Sequence, residues 1–166
     1  MQINKINNKN RYYYEIINIY YNWWGKDIKK KTLNEIDDSY KDTLSQDFLP
    51  NIYALIINDT LIGTYEINKN DDIEKEKYTP YLANIYIKER YRGYGYSKIL
   101  VSDAIEKIKK MGYDRLYLHS HHQNYYEKFG FKFKKEVETK YGLKRIYELK
   151  IKWKKSFQKN EKIFLF

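Results

Sequence analysis

From Ile87 to Ser97 the chain reads Ile-Lys-Glu-Arg-Tyr-Arg-Gly-Tyr-Gly-Tyr-Ser, a β-rich segment running into two closely spaced glycines and then into a helical pattern. Glycine accepts positive φ and lets backbone approach a ligand with no Cβ in the way. A helix start leaves amide N–H groups unpaired at the positive end of the macrodipole. Strand, glycine turn and helix start together make a cradle for a diphosphate. Arg90, Arg92 and Lys98 set cations beside it. Gly-x-Gly turns also serve purely structural ends, so this stretch alone leaves both readings open. It is not a nucleotide loop of the Gly-x-x-x-x-Gly-Lys-Ser/Thr kind, and the full Gly-x-Gly-x-x-Gly fingerprint is missing.

Further along, Tyr126-Glu127-Lys128-Phe129-Gly130-Phe131 places a phenol four residues before a Gly-Phe turn. A phenol with an ordinary pKa of about 10 is a suitable proton donor near neutral pH. His119, His121 and His122 cluster just upstream, and histidine is the side chain that titrates closest to neutrality. Residues 119 and 121 alternate along a strand and no carboxylate stands at ligand spacing, so no metal site is expected. Asp71 and Asp72 suit a cationic amine as well as they suit a solvated loop. For Trp23 and Trp24, core packing is the simpler reading, and bordering a substrate the other.

The elements that must position these groups can be read from periodicity. Residues 2–6 form a short strand. Tyr13, Ile16, Ile17, Tyr20 and Trp24 recur at helical spacing up to Gly25. Thr32-Leu33-Asn34-Glu35 is a capping box opening a second helix, striped by Leu33, Ile36, Tyr40 and Leu44 and ended by Pro50. Residues 51–57 and 61–67 are strands around Asn58-Asp59-Thr60, a hairpin signal. A polar, acidic loop over 68–77 precedes a strand at 81–87. The helix predicted over 97–111 buries Ile99, Leu100, Ala104, Ile105 and Ile108, with Gly112 at its end. Residues 116–119 read as a strand, 124–129 as a short helix, and 131–137 and 144–152 as a closing hairpin. The fold expected is a mixed α/β (α+β) domain over 1–152. It has a mostly antiparallel twisted sheet of about six or seven strands, two N-terminal helices, a crossover helix and a short helix before the last hairpin. A tail, 153–166, ends in Ile163-Phe164-Leu165-Phe166 and would dock on the body, mediate a homodimer or fray.

Composition narrows the partners. The formal net charge is +10, with 20 tyrosines and no cysteine. Disulfides, thiolate metal sites and a cysteine nucleophile are thereby excluded. No run reaches the roughly 18 apolar residues of a membrane helix, and residues 1–10 hold no secretory h-region. A cytoplasmic protein is the simplest reading. The positive charge attracts polyanions, coenzyme A and nucleic acid alike. The lysines are dispersed and interrupted by Asp37-Asp38 and Asp71-Asp72, which argues against a nucleic-acid face.

The two glycine-bearing segments together resemble one family. Arg92-x-x-Gly95-x-Ser97 is similar to the Arg/Gln-x-x-Gly-x-Gly/Ala motif of the GNAT N-acetyltransferases, and Tyr126-x-x-x-Gly130-Phe131 to the Tyr-x-x-x-Gly-Phe that ends their cofactor region. Residues 79–87 resemble the strand that enters their pyrophosphate loop. Ser97 departs from the family's glycine or alanine; its hydroxyl is small enough to cap the helix or bond a phosphate.

The resemblance implies acetyl-CoA as cofactor, held by Ile85, Tyr86, Ile87, Arg92, Gly93, Tyr94, Gly95, Tyr96, Ser97 and Asn124, with the pantetheine arm in a V between residues 81–87 and 116–119. It implies direct attack of a primary amine, from a small molecule or a peptide, on the thioester, with Tyr126 protonating the departing thiolate. The family's glutamate base has no counterpart on the strand before the loop, which offers only Asn84. His119 is the best-placed substitute, ahead of His121, His122 and Glu66, or a water chain to Asp71, Asp72 and Glu74. The competing expectations are a GNAT-like protein that binds acyl-CoA without catalysis and, less favoured, a small basic nucleic-acid-binding domain.

Overall fold

The computed structural model of the chain describes residues 1–41, 49–70 and 77–152. Leu44, the acidic group Asp71, Asp72 and Glu74, and the tail 153–166 lie outside the described residues. Seven strands form one sheet in the order β1-β2-β3-β4-β5-β7-β6. They are β1 (Gln2–Ile6), β2 (Asn51–Ile57), β3 (Thr60–Asn68), β4 (Tyr81–Ile87), β5 (Arg115–His119), β6 (Lys132–Thr139) and β7 (Gly142–Lys150). Helices α1 (Tyr13–Tyr20) and α2 (Leu33–Lys41) cover one face, and α3 (Tyr96–Lys110) crosses the other between β4 and β5. Every pairing is antiparallel except β4 with β5. This is the mixed α/β architecture expected.

Side-chain alternation explains why the centre of the sheet is buried on both sides. From β2, Ile52, Ala54 and Ile56 pack with Ile16, Ile17 and Ile36 of the first two helices. Tyr53 and Leu55 point the other way, onto Leu100, Val101, Ala104 and Ile108 of α3. The sequence reading missed Val101 and included Ile99 and Ile105, which are only half-buried. A helix seated on a twisted sheet buries a stripe turned slightly from the one that hydropathy alone selects.

Local signals resolve as their chemistry dictates. Asn58 and Asp59 both take positive φ, the two-residue turn that matches strand twist. Thr32 and Glu35 form the reciprocal cap: the Thr32 N–H donates to Glu35 Oε2 at 2.7 Å and the Glu35 N–H to Thr32 Oγ1 at 3.2 Å. The first helix differs from expectation. After Tyr20 it widens into a π turn over Tyr21–Gly25, closed by Lys26 N–H on the Tyr21 carbonyl at 3.0 Å. The wider turn changes the directions of Trp23 and Trp24, and Gly25 sits so close to Ile36 that a Cβ would meet its Cδ1 at 2.2 Å.

Gly63 of β3 is equally constrained and stands next to the strand that matters most. A Cβ there would meet the Tyr86 carbonyl and Ile87 Cδ1, each at 2.5 Å. The Gly63→Ala variant is therefore expected to lose about 1–3 kcal/mol of stability, read as a lowered urea midpoint with unchanged m-value.

Candidate active site

The site begins with a register defect. Thr64 of β3 faces Tyr86, yet Glu66 faces Ala83, so β4 holds an extra residue between them. Asn84 absorbs it with φ of 48°. Such a bulge bends its strand and re-aims the side chains beyond it. Strands β4 and β5 then pair in register only at Tyr81↔Tyr117 and part beyond it. Alternate residues of a strand present their backbone polar groups to opposite edges. Part of the main chain over Ile85–Ile87 is therefore turned toward the gap rather than toward β3, and such donors and acceptors require partners.

At the far end of β4 the chain makes a 3₁₀ turn over Glu89–Tyr91 and then the glycine turn. Gly93 and Gly95 have φ of 84° and 79°, with nothing within 4 Å of a notional Cβ at either. Conformation, not crowding, demands glycine here, and the space above it is open. Gly95 is the N-cap of α3 and no side chain caps the helix. Arg92 braces the turn, its Nε donating to the Ile87 carbonyl at 3.0 Å, its guanidinium 5.6 Å from the Tyr86 ring centroid.

A cleft of about 340 Å³ runs along this path. Of the residues expected at a cofactor, Ile85, Ile87, Arg92, Gly93, Gly95, Tyr96 and Ser97 line it. Three do not. The Tyr86 ring turns to the opposite side of β4 and lies against Trp23, centroids 5.2 Å apart. Tyr94 is 72% exposed on the outside of the turn. Asn124 is a corner residue with φ of 60°. Tyr126 lines the cleft, joined by His122, which the sequence ranked behind His119 as a base, and by Tyr91 and Tyr125, which sequence reasoning did not single out. Ser97 neither caps the helix nor stands open: its hydroxyl is hydrogen-bonded to that of Tyr125 at 2.6 Å.

A second cavity of about 580 Å³ opens on the α1/α2 side, and it shares Ile85, His122 and Tyr126 with the first. His119, His121 and Asn84 also line it. Trp23 and Trp24 are not simply core. Trp23 is 43% exposed, Trp24 is stacked on Tyr20 with centroids 5.6 Å apart, and both line this cavity, as does Tyr141 from the β6–β7 turn. Lys29 lies between these walls, its ammonium 4.6 Å from the Trp24 ring centroid and 5.6 Å from that of Tyr141.

Glu66, which the sequence ranked low, is fully buried and lines the cavity, with Tyr40 donating to its Oε1 at 2.6 Å. Beside it, burial and then the Glu66 charge push the Tyr20 phenol well above its ordinary range. Across the shared boundary, burial and then the neighbouring Tyr125 push the Tyr126 phenol up to about 12.

This geometry is that of one family. Residues 12–131 match the sequence pattern of the "Acetyltransferase (GNAT) family". No curated protein sequence matches the chain. Among solved structures, an N-acetyltransferase from Staphylococcus aureus Mu50 superposes with a TM-score of 0.68 at 20% identity, covering 92% of this chain and 100% of its own. An aminoglycoside 6'-N-acetyltransferase complexed with coenzyme A gives 0.69 at 14% identity, over 94% and 100% of the two chains. A GNAT family acetyltransferase from Elizabethkingia anophelis with acetyl-CoA bound gives 0.61 at 16% identity, over 90% and 97%. With the splayed strands, the glycine cradle and a pattern match over most of its length, the chain belongs to the GNAT acetyltransferase family.

Proposed function

We propose that the protein transfers an acetyl group from acetyl-CoA to a primary amine by direct attack, both substrates being bound together. The observation that carries this reading is the shared boundary of the two cavities at Ile85, His122 and Tyr126. A thioester entering along β4 and an amine entering from the α1/α2 side would meet there, beside the one phenol placed to act on both. Aligning two reactants in this way removes much of the entropic barrier.

The chain's residues fit the cofactor by chemistry. The uncapped start of α3, the open face of Gly93 and Gly95 and the Arg92 guanidinium suit a diphosphate. The gap-facing backbone of Ile85 to Ile87 suits the amides of a pantetheine arm. In the reaction a new N–C bond forms as the C–S bond breaks, the departing sulfur takes the Tyr126 proton, and the proton shed by the acylated nitrogen returns the phenol to its neutral form. The acceptor, as an ammonium, must first give up a proton. His119 lines the acceptor cavity and is the side chain we assign to receive it. Aminoglycoside and spermidine/spermine acetyltransferases among the structural neighbours act on amines, which supports a small-molecule amine as acceptor. Among the described residues no helix is long and apolar enough to cross a membrane.

Calorimetric titration with acetyl-CoA tests the cofactor site. Wild type is expected to bind, and Gly95→Glu, which puts a carboxylate where the diphosphate would lie, is expected to lose binding by at least about tenfold. Folded wild type that fails to bind would overturn the reading. Binding without turnover on any amine would leave the protein an acyl-CoA binder.

Tyr126→Phe tests the acid. It is expected to lower kcat by about 10²-fold or more. The folded-state pKa of Tyr126 lies above the ordinary phenol value, so its neutral form is favoured by the fold. That contribution to stability is complete below pH of about 10 and is lost as pH rises through about 12. Activity should therefore show no loss from ionisation of this phenol between neutral pH and the ordinary phenol range. The difference in tyrosinate absorbance between wild type and Tyr126→Phe should appear only above that range.

A further inference from the structure

The sheet ties the two sides of the cofactor cleft together only where Tyr81 pairs with Tyr117. Toward the cradle the strands have parted, and the segment carrying Tyr126 would be held to α3 by packing alone. One hydrogen bond bridges that gap. The Ser97 and Tyr125 hydroxyls are 2.6 Å apart and half-buried, and among the described residues this is the side-chain hydrogen bond that joins residues 92–97 to residues 120–131.

Tyr125 stands against the proton donor. Its ring meets the Tyr126 ring edge to face with centroids 5.0 Å apart, and it also contacts Phe129 at 6.0 Å. It follows the left-handed corner at Asn124, and its hydroxyl reaches the start of α3. A phenol has two torsions. Packing fixes the ring plane, and an anchored hydroxyl fixes how far the ring swings, so the contact it offers Tyr126 has a single position. The residue at position 97 supplies the anchor, and a glycine or alanine there would have no hydroxyl to offer.

We propose that Tyr125 is a positioning residue: tethered by Ser97, it makes the start of the cofactor-binding helix set the placement of Tyr126. This rests on Tyr126 being the proton donor, as assigned under the proposed function. The tether acts through the ring of Tyr125, which itself need not touch the reacting atoms. It also links the two ends of the site, because whatever settles on the first turn of α3 bears on Ser97.

Tyr125→Phe keeps the ring and removes only the hydroxyl. It is expected to lower kcat by about threefold to tenfold, the rate equivalent of one lost hydrogen bond, with the KM for acetyl-CoA and for the amine within about twofold of wild type. Ser97→Ala should lower kcat by a similar factor, its KM for acetyl-CoA being no test because Ser97 lines the cofactor cleft. The kcat of the double variant should be no lower than that of either single change, since both remove one interaction. Ser97→Thr, which retains a hydroxyl, should lose less than Ser97→Ala.

A second readout needs no turnover: without ligand, amide hydrogen exchange over residues 122–131 should quicken in both single variants. Unchanged kcat in Tyr125→Phe, losses that multiply in the double variant, or a change confined to the KM for acetyl-CoA would each overturn the proposal. So would unchanged exchange over 122–131. If wild type binds acetyl-CoA yet acetylates no amine, the functional reading fails while exchange still reports whether the tether exists.

Discussion

The structure depends on two parallel strands that begin side by side and then part. A parallel pair needs a crossover, and here α3 supplies it, packed on the sheet through Leu100, Val101, Ala104 and Ile108. Once β4 and β5 separate beyond Tyr81↔Tyr117, a wedge opens whose one wall is strand backbone and whose other wall is the chain after β5. The extra residue at Asn84 belongs to the same event. It lets β4 stay paired with β3 through Thr64↔Tyr86 and Gly63↔Ile87 while sending Tyr86 to one side and Ile85 and Ile87 to the other. The close approach of Gly63 to Ile87 and the Tyr86 carbonyl keeps this part of the strand seated. An open edge inside a sheet is costly unless something pairs with it, and a ligand rich in amides is the natural partner.

Tyrosine carries much of what leucine and phenylalanine carry elsewhere. Tyr13, Tyr20, Tyr65, Tyr81 and Tyr147 are among the largest fully buried side chains. A buried phenol must find a partner for its hydroxyl, and several do. Tyr13 donates to Asp37 at 2.8 Å, Tyr65 to Asp103 at 2.5 Å and Tyr147 to the His122 carbonyl at 3.3 Å. The core is thus stitched by directional bonds at its margins as well as packed at its centre. The same chemistry recurs in the site, where Tyr40 holds Glu66 and Tyr125 meets Ser97.

That usage also explains what the sequence hid. Signals that act over a few residues were legible: the Asn58-Asp59 turn, the Thr32–Glu35 cap, and the glycines at positions 93 and 95 whose positive φ the helix start demands. Each depends on backbone geometry that neighbouring residues set. The bulge at Asn84 depends on how β3 and β4 align, which a single strand does not announce. The π turn at Tyr21–Gly25 ends where Gly25 packs against Ile36, a contact across two helices that a local pattern does not carry. Tyr125 differs from the chain's other tyrosines only in where its hydroxyl ends up.

The two halves of the site were therefore unequally readable for a physical reason. The side we propose for the cofactor rests largely on one segment, Ile85 to Ser97, which supplies a strand edge, a glycine turn and a helix start. Backbone recognition tolerates wide changes of side chain provided that φ values and the helix start persist, which is why the motif stands out in a sequence so biased in composition. The second cavity, the proposed acceptor side, is assembled from side chains of separate segments: Trp23 and Trp24 after α1, Glu66 on β3, His119 on β5 and Tyr141 at the last turn. No short motif can hold such a set, because its members share only the space they enclose. Tyr126 lies where the two kinds of construction meet, and the hydroxyl pair beside it joins the helix start to the segment that faces the second cavity.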